Sequence, residues 1–256
     1  MVTVHDILMY LETVAPASMK MEWDNVGLLC GSASAEVHTV LMALDPFEAV
    51  CHEAATVGAQ LLVTHHPLIF QSVNAITDDS ALGRSVLFLA DHGISAVNAH
   101  TNLDRADGGV NDVLAQALGL QNIQTIDPEG EHLLRFGYVP EQSPEQFLSH
   151  VKSKLGCCGL RYVSSGKPVS KVAVGGGSCG SELYCAIAAG CDTFVTADVK
   201  YNQFQEAAQL GINLIDAGHF HTENPVVAVL AEKIAAAFPE ITVKISESHS
   251  DCMKFY

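Results

Sequence analysis

The sequence predicts an α/β protein with two α/β domains of similar topology, whose parallel-rich sheets are flanked by helices. Two observations lead to this fold class. Short apolar strands alternate with helical segments along the first half of the chain, which is typical of βαβ units with parallel strands. A similar pattern returns in the second half, and this indicates an internal duplication.

The elements of the first half follow from caps, apolar spacing and glycines. Thr3 is placed to cap a helix over roughly residues 4–14, where apolar side chains recur at helical spacing. Further helices are predicted over residues 47–57, 80–91 and 110–118, and strands over 40–44, 61–64 and 94–98. The first of these strands ends at Asp45-Pro46, a turn sequence.

The repeat emerges when residues 39–64 are placed over residues 171–196, an offset of 132 positions. Both stretches read as strand, loop, helix, glycine and strand without a gap. The following strand also recurs, since residues 93–99 resemble residues 211–217. Any two βαβ units share part of this pattern, but the ungapped agreement favours duplication.

A domain boundary is predicted within residues 121–145, which contain Asp127-Pro128-Glu129-Gly130 and two further prolines. The predicted domains are residues 1–128 together with 214–256, and residues 129–213. The first of them is expected to carry most of the candidate functional residues.

Composition narrows the class of protein. Hydrophobic residues make up 48% of the 256 residues and charged residues 16%, which is typical of a globular chain. The net charge of −16 argues against nucleic-acid binding, because phosphate contacts need clustered Lys and Arg. No apolar run reaches the ~18 residues of a membrane span, and the N-terminus lacks the pattern of a signal peptide.

The eight cysteines contain no Cys-x-x-Cys pair. Adjacent Cys157 and Cys158 do not have the usual spacing of zinc-thiolate ligands. We therefore expect a cytoplasmic protein in which most cysteines are small core residues.

His65 and His66 form the first candidate site, directly after the apolar strand Leu61-Leu62-Val63-Thr64. Ligands bind at the carboxyl ends of strands in open α/β sheets. Neighbouring side chains of a strand point to opposite sides, so two adjacent histidines suit two metal ions better than one. A surface histidine pair is the alternative interpretation.

Two further clusters also follow strands. His100 and Asp104 come after the strand over 94–98, although Asp104 could instead cap a turn or helix. If a helix begins near His219, then His219 and Glu223 lie on one face as i and i+4 neighbours. Glu223 could equally be a solvated glutamate of a first helical turn. Three strand ends with His and carboxylate together favour a site for Zn, Fe, Mn, Co or Ni.

Four motifs resemble the Nif-three-like dinuclear metal-centre family, whose members are often called GTP cyclohydrolase 1 type 2 homologues. They are Glu22-Trp23-Asp24-Asn25-Val26-Gly27-Leu28, Thr64-His65-His66-Pro67-Leu68-Ile69-Phe70, His100-Thr101-Asn102-Leu103-Asp104 and Gly218-His219-Phe220-His221-Thr222-Glu223. The match runs in order over nearly the whole chain and resembles the short form, without the inserted middle domain. Thr196-Ala197-Asp198 departs from the family pattern, which has glycine at the position of Ala197.

This resemblance implies two divalent metal ions per chain and a toroidal homohexamer. The metal ligands that it implies are His65, His66, Asp104, His219 and Glu223, with Glu223 bridging the ions. His100 is the matching nearby histidine, an acid-base group or an extra ligand. His100 and Glu223 are the candidates for catalytic roles. The ligands leave the metal open among Fe, Zn, Mn, Co and Ni.

The function expected from this site is a dinuclear metal-dependent hydrolase acting on a small molecule. Two cations ~3.5–4 Å apart can lower the pKa of a bridging water and stabilise a developing oxyanion. The family label implies a nucleotide, GTP, attacked at C8 of the guanine ring with ring opening and formate release. A phosphoesterase would use the same residues. A non-enzymatic metal-binding scaffold or interaction protein is the alternative from another class.

Two features outside the clusters remain open. Trp23, the only tryptophan, is interpreted as a packed anchor with turn-forming neighbours in preference to a pocket rim. Gly175-Gly176-Gly177 follows a strand but lacks the phosphate-loop pattern, so a tight turn is favoured.

Overall fold

The computed structural model, which describes residues 1–126 and 133–256, contains a five-stranded and a six-stranded sheet. The predicted α/β class is confirmed. Among the described residues, no helix has the length and apolar character that crossing a membrane requires.

The strands, in chain order, are β1 Gly27–Cys30, β2 Thr39–Ala43, β3 Leu61–Thr64, β4 Ser95–Asn98, β5 Gln121–Ile126, β6 Leu134–Gln142, β7 Arg161–Val163, β8 Val169–Val174, β9 Thr193–Thr196, β10 Asn213–Asp216 and β11 Thr242–Ile245. The α-helices are α1 Val4–Val14, α2 Glu48–Thr56, α3 Ala81–Asp91, α4 Thr101–Arg105, α5 Val110–Ala117, α6 Pro144–Leu155, α7 Leu183–Ala188, α8 Tyr201–Leu210, α9 His219–Glu223 and α10 Pro225–Ala237. Short 3-10 helices lie at Ala17–Met19 and Gly180–Glu182.

The chain divides into two compact units. The first comprises Met1–Ala106 and Val227–Ser250. Its strand order is β1-β4-β3-β2-β11. β11, β2, β3 and β4 are parallel, and β1 runs antiparallel to β4. All four residues of β3 and of β4 are buried, as expected for central parallel strands.

The second unit comprises Asp107–Val226 and Asp251–Tyr256. Its strand order is β5-β6-β8-β9-β10-β7. β8, β9 and β10 are parallel, whereas β6 and β7 are antiparallel to their neighbours. Phe194 and Val195, successive residues of β9, belong to different apolar clusters. This sheet is therefore buried on both faces.

The shared order of three parallel strands supports the duplication. The predicted offset of 132 positions carries Leu61–Thr64 onto Thr193–Thr196. In each unit the third parallel strand also pairs with an antiparallel strand, β1 in the first and β7 in the second. The units differ beyond the first parallel strand, where β11 is parallel to β2 but β6 is antiparallel to β8.

The prediction of a boundary region over residues 121–145 is wrong. β5 and β6 occupy much of it, and α6 begins at Pro144 with Ser143 as its N-cap. Pro140 lies inside β6, at an irregularity in the pairing with β8, where proline is tolerated in a sheet. The turn predicted at residues 127–130 lies outside the described residues.

The two compact units differ from the predicted domains, residues 1–128 with 214–256 and residues 129–213. The predicted division places most of β10 in the first domain, but β10 pairs in register with β9 of the second unit. Residues 107–126 also belong to the second unit, where β5 pairs with β6.

The expectation that most cysteines are core residues holds for four of the eight, which are buried: Cys51, Cys157, Cys179 and Cys191. Burial raises the pKa of Cys51, Cys157 and Cys191 to about 11. These thiols are therefore protonated at neutral pH and are poor nucleophiles.

Candidate metal centre

Three histidines of the first unit lie at the carboxyl ends of two paired strands. His65 and His66 directly follow β3, and His100 stands two residues after β4. β3 and β4 are parallel with Thr64 opposite Asn98. The three histidines therefore leave the sheet at the same edge, where open α/β sheets bind ligands.

The histidine rings are close to one another. Ring centroids are 5.0 Å apart for His65 and His66, 5.2 Å for His65 and His100, and 5.5 Å for His66 and His100. One ligand atom from each lies within 4.8 Å of the other two. Asp104 of α4 joins them, with Oδ1 3.5 Å from Nε2 of His65.

The buried ring of His65 is oriented by the backbone. Its Nδ1 lies 2.9 Å from the carbonyl oxygen of Ala99. Because a carbonyl oxygen can only accept, Nδ1 carries the hydrogen, and in the neutral ring Nε2 presents its lone pair. Metal-binding histidines are usually fixed in this way through the nitrogen that does not bind the ion.

His66 and His100 are each oriented by a carboxylate. Nδ1 of His66 lies 2.6 Å from Oδ1 of Asp45, and Nδ1 of His100 lies 2.8 Å from Oδ1 of Asp24. In both histidines Nε2 is then the nitrogen that can take a metal ion or a proton. The role of Asp45 behind His66 was not predicted from the sequence, where Asp45-Pro46 indicates a turn.

Both carboxylates are ionised despite burial. Burial acts to raise the pKa of Asp24, but hydrogen bonds from His100 and Thr101 outweigh it and hold that pKa well below its usual range. Burial likewise opposes ionisation of Asp45, and hydrogen bonds from His249 and His66 lower its pKa. An ionised carboxylate on Nδ1 makes Nε2 a more basic ligand.

Trp23 is not a packed anchor. It is 61% exposed, and its ring centroid lies 6.2 Å from that of His100. Phe70 is 48% exposed and lies 5.8 Å from Trp23 and 6.0 Å from His100. The alternative interpretation, a rim of the site, fits this position.

The second unit places His219 and Glu223 on α9 as i and i+4 neighbours. Nε2 of His219 lies 3.0 Å from Oε2 of Glu223, and Nδ1 lies 2.7 Å from Oδ2 of Asp198. Glu223 is buried, so it is not a solvated first-turn glutamate. Asp198 belongs to the segment Thr196-Ala197-Asp198, to which the sequence analysis assigns no role.

The loop after β9 accommodates alanine where the family has glycine. The left-handed residue of the loop is Asp198, with φ +51°, whereas Ala197 does not have a positive φ. Asp tolerates this region better than most residues. Alanine at position 197 therefore introduces no left-handed strain.

Gly176 and Gly177 pack against Glu223. Their N–H groups donate to side-chain oxygens of Asn111 and Thr222, so they are not presented to a phosphate. A Cβ on Gly177 would lie 2.0 Å from Oε1 of Glu223. This turn thus provides space for the carboxylate.

His221, in the same motif as His219 and Glu223, has different partners. Its Nδ1 lies 3.1 Å from the carbonyl oxygen of Leu155, and its Nε2 lies 3.2 Å from Oδ2 of Asp251. These contacts join His221 to α6 and to residue 251 within the second unit.

The donor set of each unit suits a borderline divalent cation. Imidazole nitrogens and carboxylate oxygens bind Zn, Fe, Mn, Co and Ni. His65, His66, His100 and His219 each have an acceptor at Nδ1. The ligand atoms of the first three also lie within 4.8 Å of one another, and Nε2 of His219 lies 3.0 Å from Oε2 of Glu223. An oriented ring beside further donors fits metal binding better than it fits isolated surface histidines.

Comparison with known proteins finds relatives over nearly the whole chain. The family model described as Duf34/NIF3 (NGG1p interacting factor 3) matches residues 2–252. A relative from Clostridium perfringens named GTP cyclohydrolase 1 type 2 homolog is 34% identical over 241 residues, 90% of each chain. The chain and this relative are therefore similar in length.

Solved structures show the same fold. A Bacillus cereus protein related to NIF3 superposes with a TM-score of 0.94 at 26% identity, covering 100% of this chain and 99% of that one. A Staphylococcus aureus hypothetical protein superposes with a TM-score of 0.89 at 28% identity, covering 99% of both chains.

Proposed function

The chain belongs to the Duf34/NIF3 family, and on that premise we propose that it is a metal-dependent hydrolase with two divalent ions. The proposed ligands are His65, His66, Asp104, His219 and Glu223. His100 is proposed as the acid-base group, and Glu223 as the carboxylate that bridges the ions.

One observation carries the proposal: each of the four histidines is oriented through Nδ1 by an acceptor. The acceptors are the carbonyl oxygen of Ala99 and the carboxylates of Asp45, Asp24 and Asp198. Preorganised Nε2 atoms lower the cost of binding an ion, because the rings need not be reoriented.

The metal ions and His100 would have different roles in hydrolysis. Two divalent ions, when bound, would activate water and stabilise negative charge that develops on the substrate. Asp24 holds Nδ1 of His100, so that Nε2 could accept a proton and return it to a leaving group.

GTP is the proposed substrate, because the relatives are named GTP cyclohydrolase 1 type 2 homolog. Addition of one water at C8 would open the guanine imidazole ring, and a second water would release formate. A phosphoester is the second candidate, since the same donors would polarise a phosphoryl oxygen.

The test combines metal analysis with turnover. Protein loaded with Mn, Fe, Co, Ni or Zn should hold two ions per chain and release formate from GTP. His65→Ala should lose bound metal and activity, whereas His38→Ala, at an exposed histidine, should keep both. Formate release that is equal in wild type and His65→Ala would refute the assignment.

The non-enzymatic alternative gives a different outcome. A metal-binding scaffold would bind two ions yet turn over no nucleotide, cyclic amide or phosphoester. Its partner binding would survive in His65→Ala. The family resemblance also supports a homohexamer, which light scattering of the purified protein tests.

A further inference from the structure

We propose that Trp23 and Phe70 form a binding site for a flat heteroaromatic ring, such as a purine, beside His100. That this ligand is a substrate rests on the proposed hydrolase function. Ring binding itself does not depend on turnover, so it can be tested separately.

The two aromatic side chains form an exposed pair. Their centroids are 5.8 Å apart with planes at 73°, and about half or more of each side chain is open to solvent. They contact each other edge to face, so neither ring covers the other completely. Isolated exposed aromatics are common, but a pair beside a candidate metal ligand suggests a ligand surface.

Hydrogen bonds from the sheet edge join the two segments that carry the pair. Asn98, buried at the end of β4, donates from Nδ2 to the carbonyl oxygen of Asn25 at 3.1 Å. Asn25 in turn donates from Nδ2 to the carbonyl oxygen of Ile69 at 2.6 Å. Asn25, two residues after Trp23, is thus joined to Ile69, the neighbour of Phe70, which reduces the ordering cost of binding a ring.

Charge favours an aromatic ligand contact. The chain has a net charge of −16, which disfavours recognition of a substrate through its anionic groups alone. Stacking on an aromatic side chain does not require positive charge and stabilises a bound base. A ring on this pair would also lie next to His100, whose ring centroid is within 6.2 Å of both aromatics.

Trp23 is the only tryptophan, so its fluorescence reports this surface directly. Guanosine and GTP should quench the emission saturably in the metal-free and metal-loaded protein, whereas ribose 5-phosphate should not. Phe70→Ala should weaken guanosine binding about tenfold, and Tyr201→Ala, at an exposed tyrosine of the second unit, should not. If GTP is turned over, Trp23→Ala should raise KM with little change in kcat.

Two results would overturn the proposal. One is the absence of saturable quenching by any heteroaromatic probe. The other is a Trp23 emission shielded from acrylamide, together with loss of oligomers in Trp23→Ala, which would show that a second copy of the chain covers the pair. Neither result touches metal binding or formate release, so the hydrolase proposal would be judged independently.

Discussion

His66 and His249 bind opposite oxygens of one carboxylate. Nδ1 of His66 lies 2.6 Å from Oδ1 of Asp45, and Nε2 of His249 lies 3.2 Å from Oδ2. His249 is placed there by residues 246–248, whose Ser246 hydroxyl and two backbone N–H groups donate to Glu53 of α2. A segment remote in sequence thus supports the orientation of a candidate ligand.

Asp45→Asn should weaken metal binding roughly 10–100-fold, the usual effect of removing a carboxylate behind a histidine ligand. The amide keeps a similar shape but lacks the negative charge that supports His66 as a metal ligand. Competition with a chromogenic chelator measures the affinity. Asp91→Asn, at an exposed carboxylate, is the control and should not change it. Equal affinities for both variants would contradict a supporting role for Asp45.

Asp198 allows backbone and ligand effects to be separated. Its φ of +51° is tolerated by Asn but costs alanine about 1 kcal/mol or more. Both Asp198→Asn and Asp198→Ala remove the carboxylate from Nδ1 of His219, so both should weaken metal binding. Urea unfolding of the metal-free protein should show a lower free energy of unfolding for Asp198→Ala only. A similar loss in both variants would mean that the ion pair with His219 stabilises the fold.

Gly177→Ala should impair metal binding more than folding. The added Cβ would meet the Oε1 atom of Glu223, so the end of this buried side chain would have to move. The carboxylate would then leave its position beside His219. Gly166→Ala is a matched control, because Gly166 also has a positive φ, +74°, but an added Cβ there has open space.

Both glycine variants should lose about 1–2 kcal/mol of unfolding free energy from the left-handed backbone. Only Gly177→Ala should show reduced metal affinity by calorimetry. Unchanged affinity in Gly177→Ala would indicate that Glu223 is not a ligand.

Glu53 should make stability depend on pH. Burial acts to raise its pKa, but hydrogen bonds from Ser246, Glu247 and Ser248 outweigh it, so the pKa is lowered in the folded protein. A lowered folded pKa means that the stabilisation is present above the unfolded value of ~4.3. It is lost as the pH falls through the folded pKa.

Glu53→Gln should therefore reduce stability at neutral pH and flatten the decline below about pH 4.5. Urea unfolding of the metal-free protein from pH 3 to 7 measures this. Glu232→Gln, at an exposed glutamate of α10, should leave the profile unchanged. A Glu53→Gln profile parallel to wild type would show that the three hydrogen bonds do not depend on the charge.

Local signals predicted most of the helices and strands that lead to the candidate site. Thr3 caps α1 with a reciprocal hydrogen bond to Asp6, and β3 spans the residues predicted for it. These elements depend on apolar spacing and caps, which are visible within a short window of sequence. The i and i+4 relation of His219 and Glu223 was predictable for the same reason.

Residues 121–145 show where such signals fail. Pro140 and Pro144 suggest turns, yet one lies at an irregularity of β6 and the other begins α6. Proline is compatible with both positions because neither requires a regular backbone N–H donor there. The pairing of β6 with β8, a strand that begins at Val169, decides the outcome, and no pattern within residues 121–145 indicates that pairing.

The sequence by itself determined the α/β class, the repeated strand order and the His and carboxylate clusters at strand ends. Tertiary structure decided which acceptors fix the histidines: Asp24 lies 76 residues from His100, and Asp45 lies 21 from His66. It also decided that Trp23 is exposed beside His100. The physical reason is that paired parallel strands bring the residues after their carboxyl ends to the same edge of a sheet. The alternation of strands and helices in the sequence predicts this parallel pairing. The partners behind those ligands depend on where distant loops pack, which no local pattern specifies.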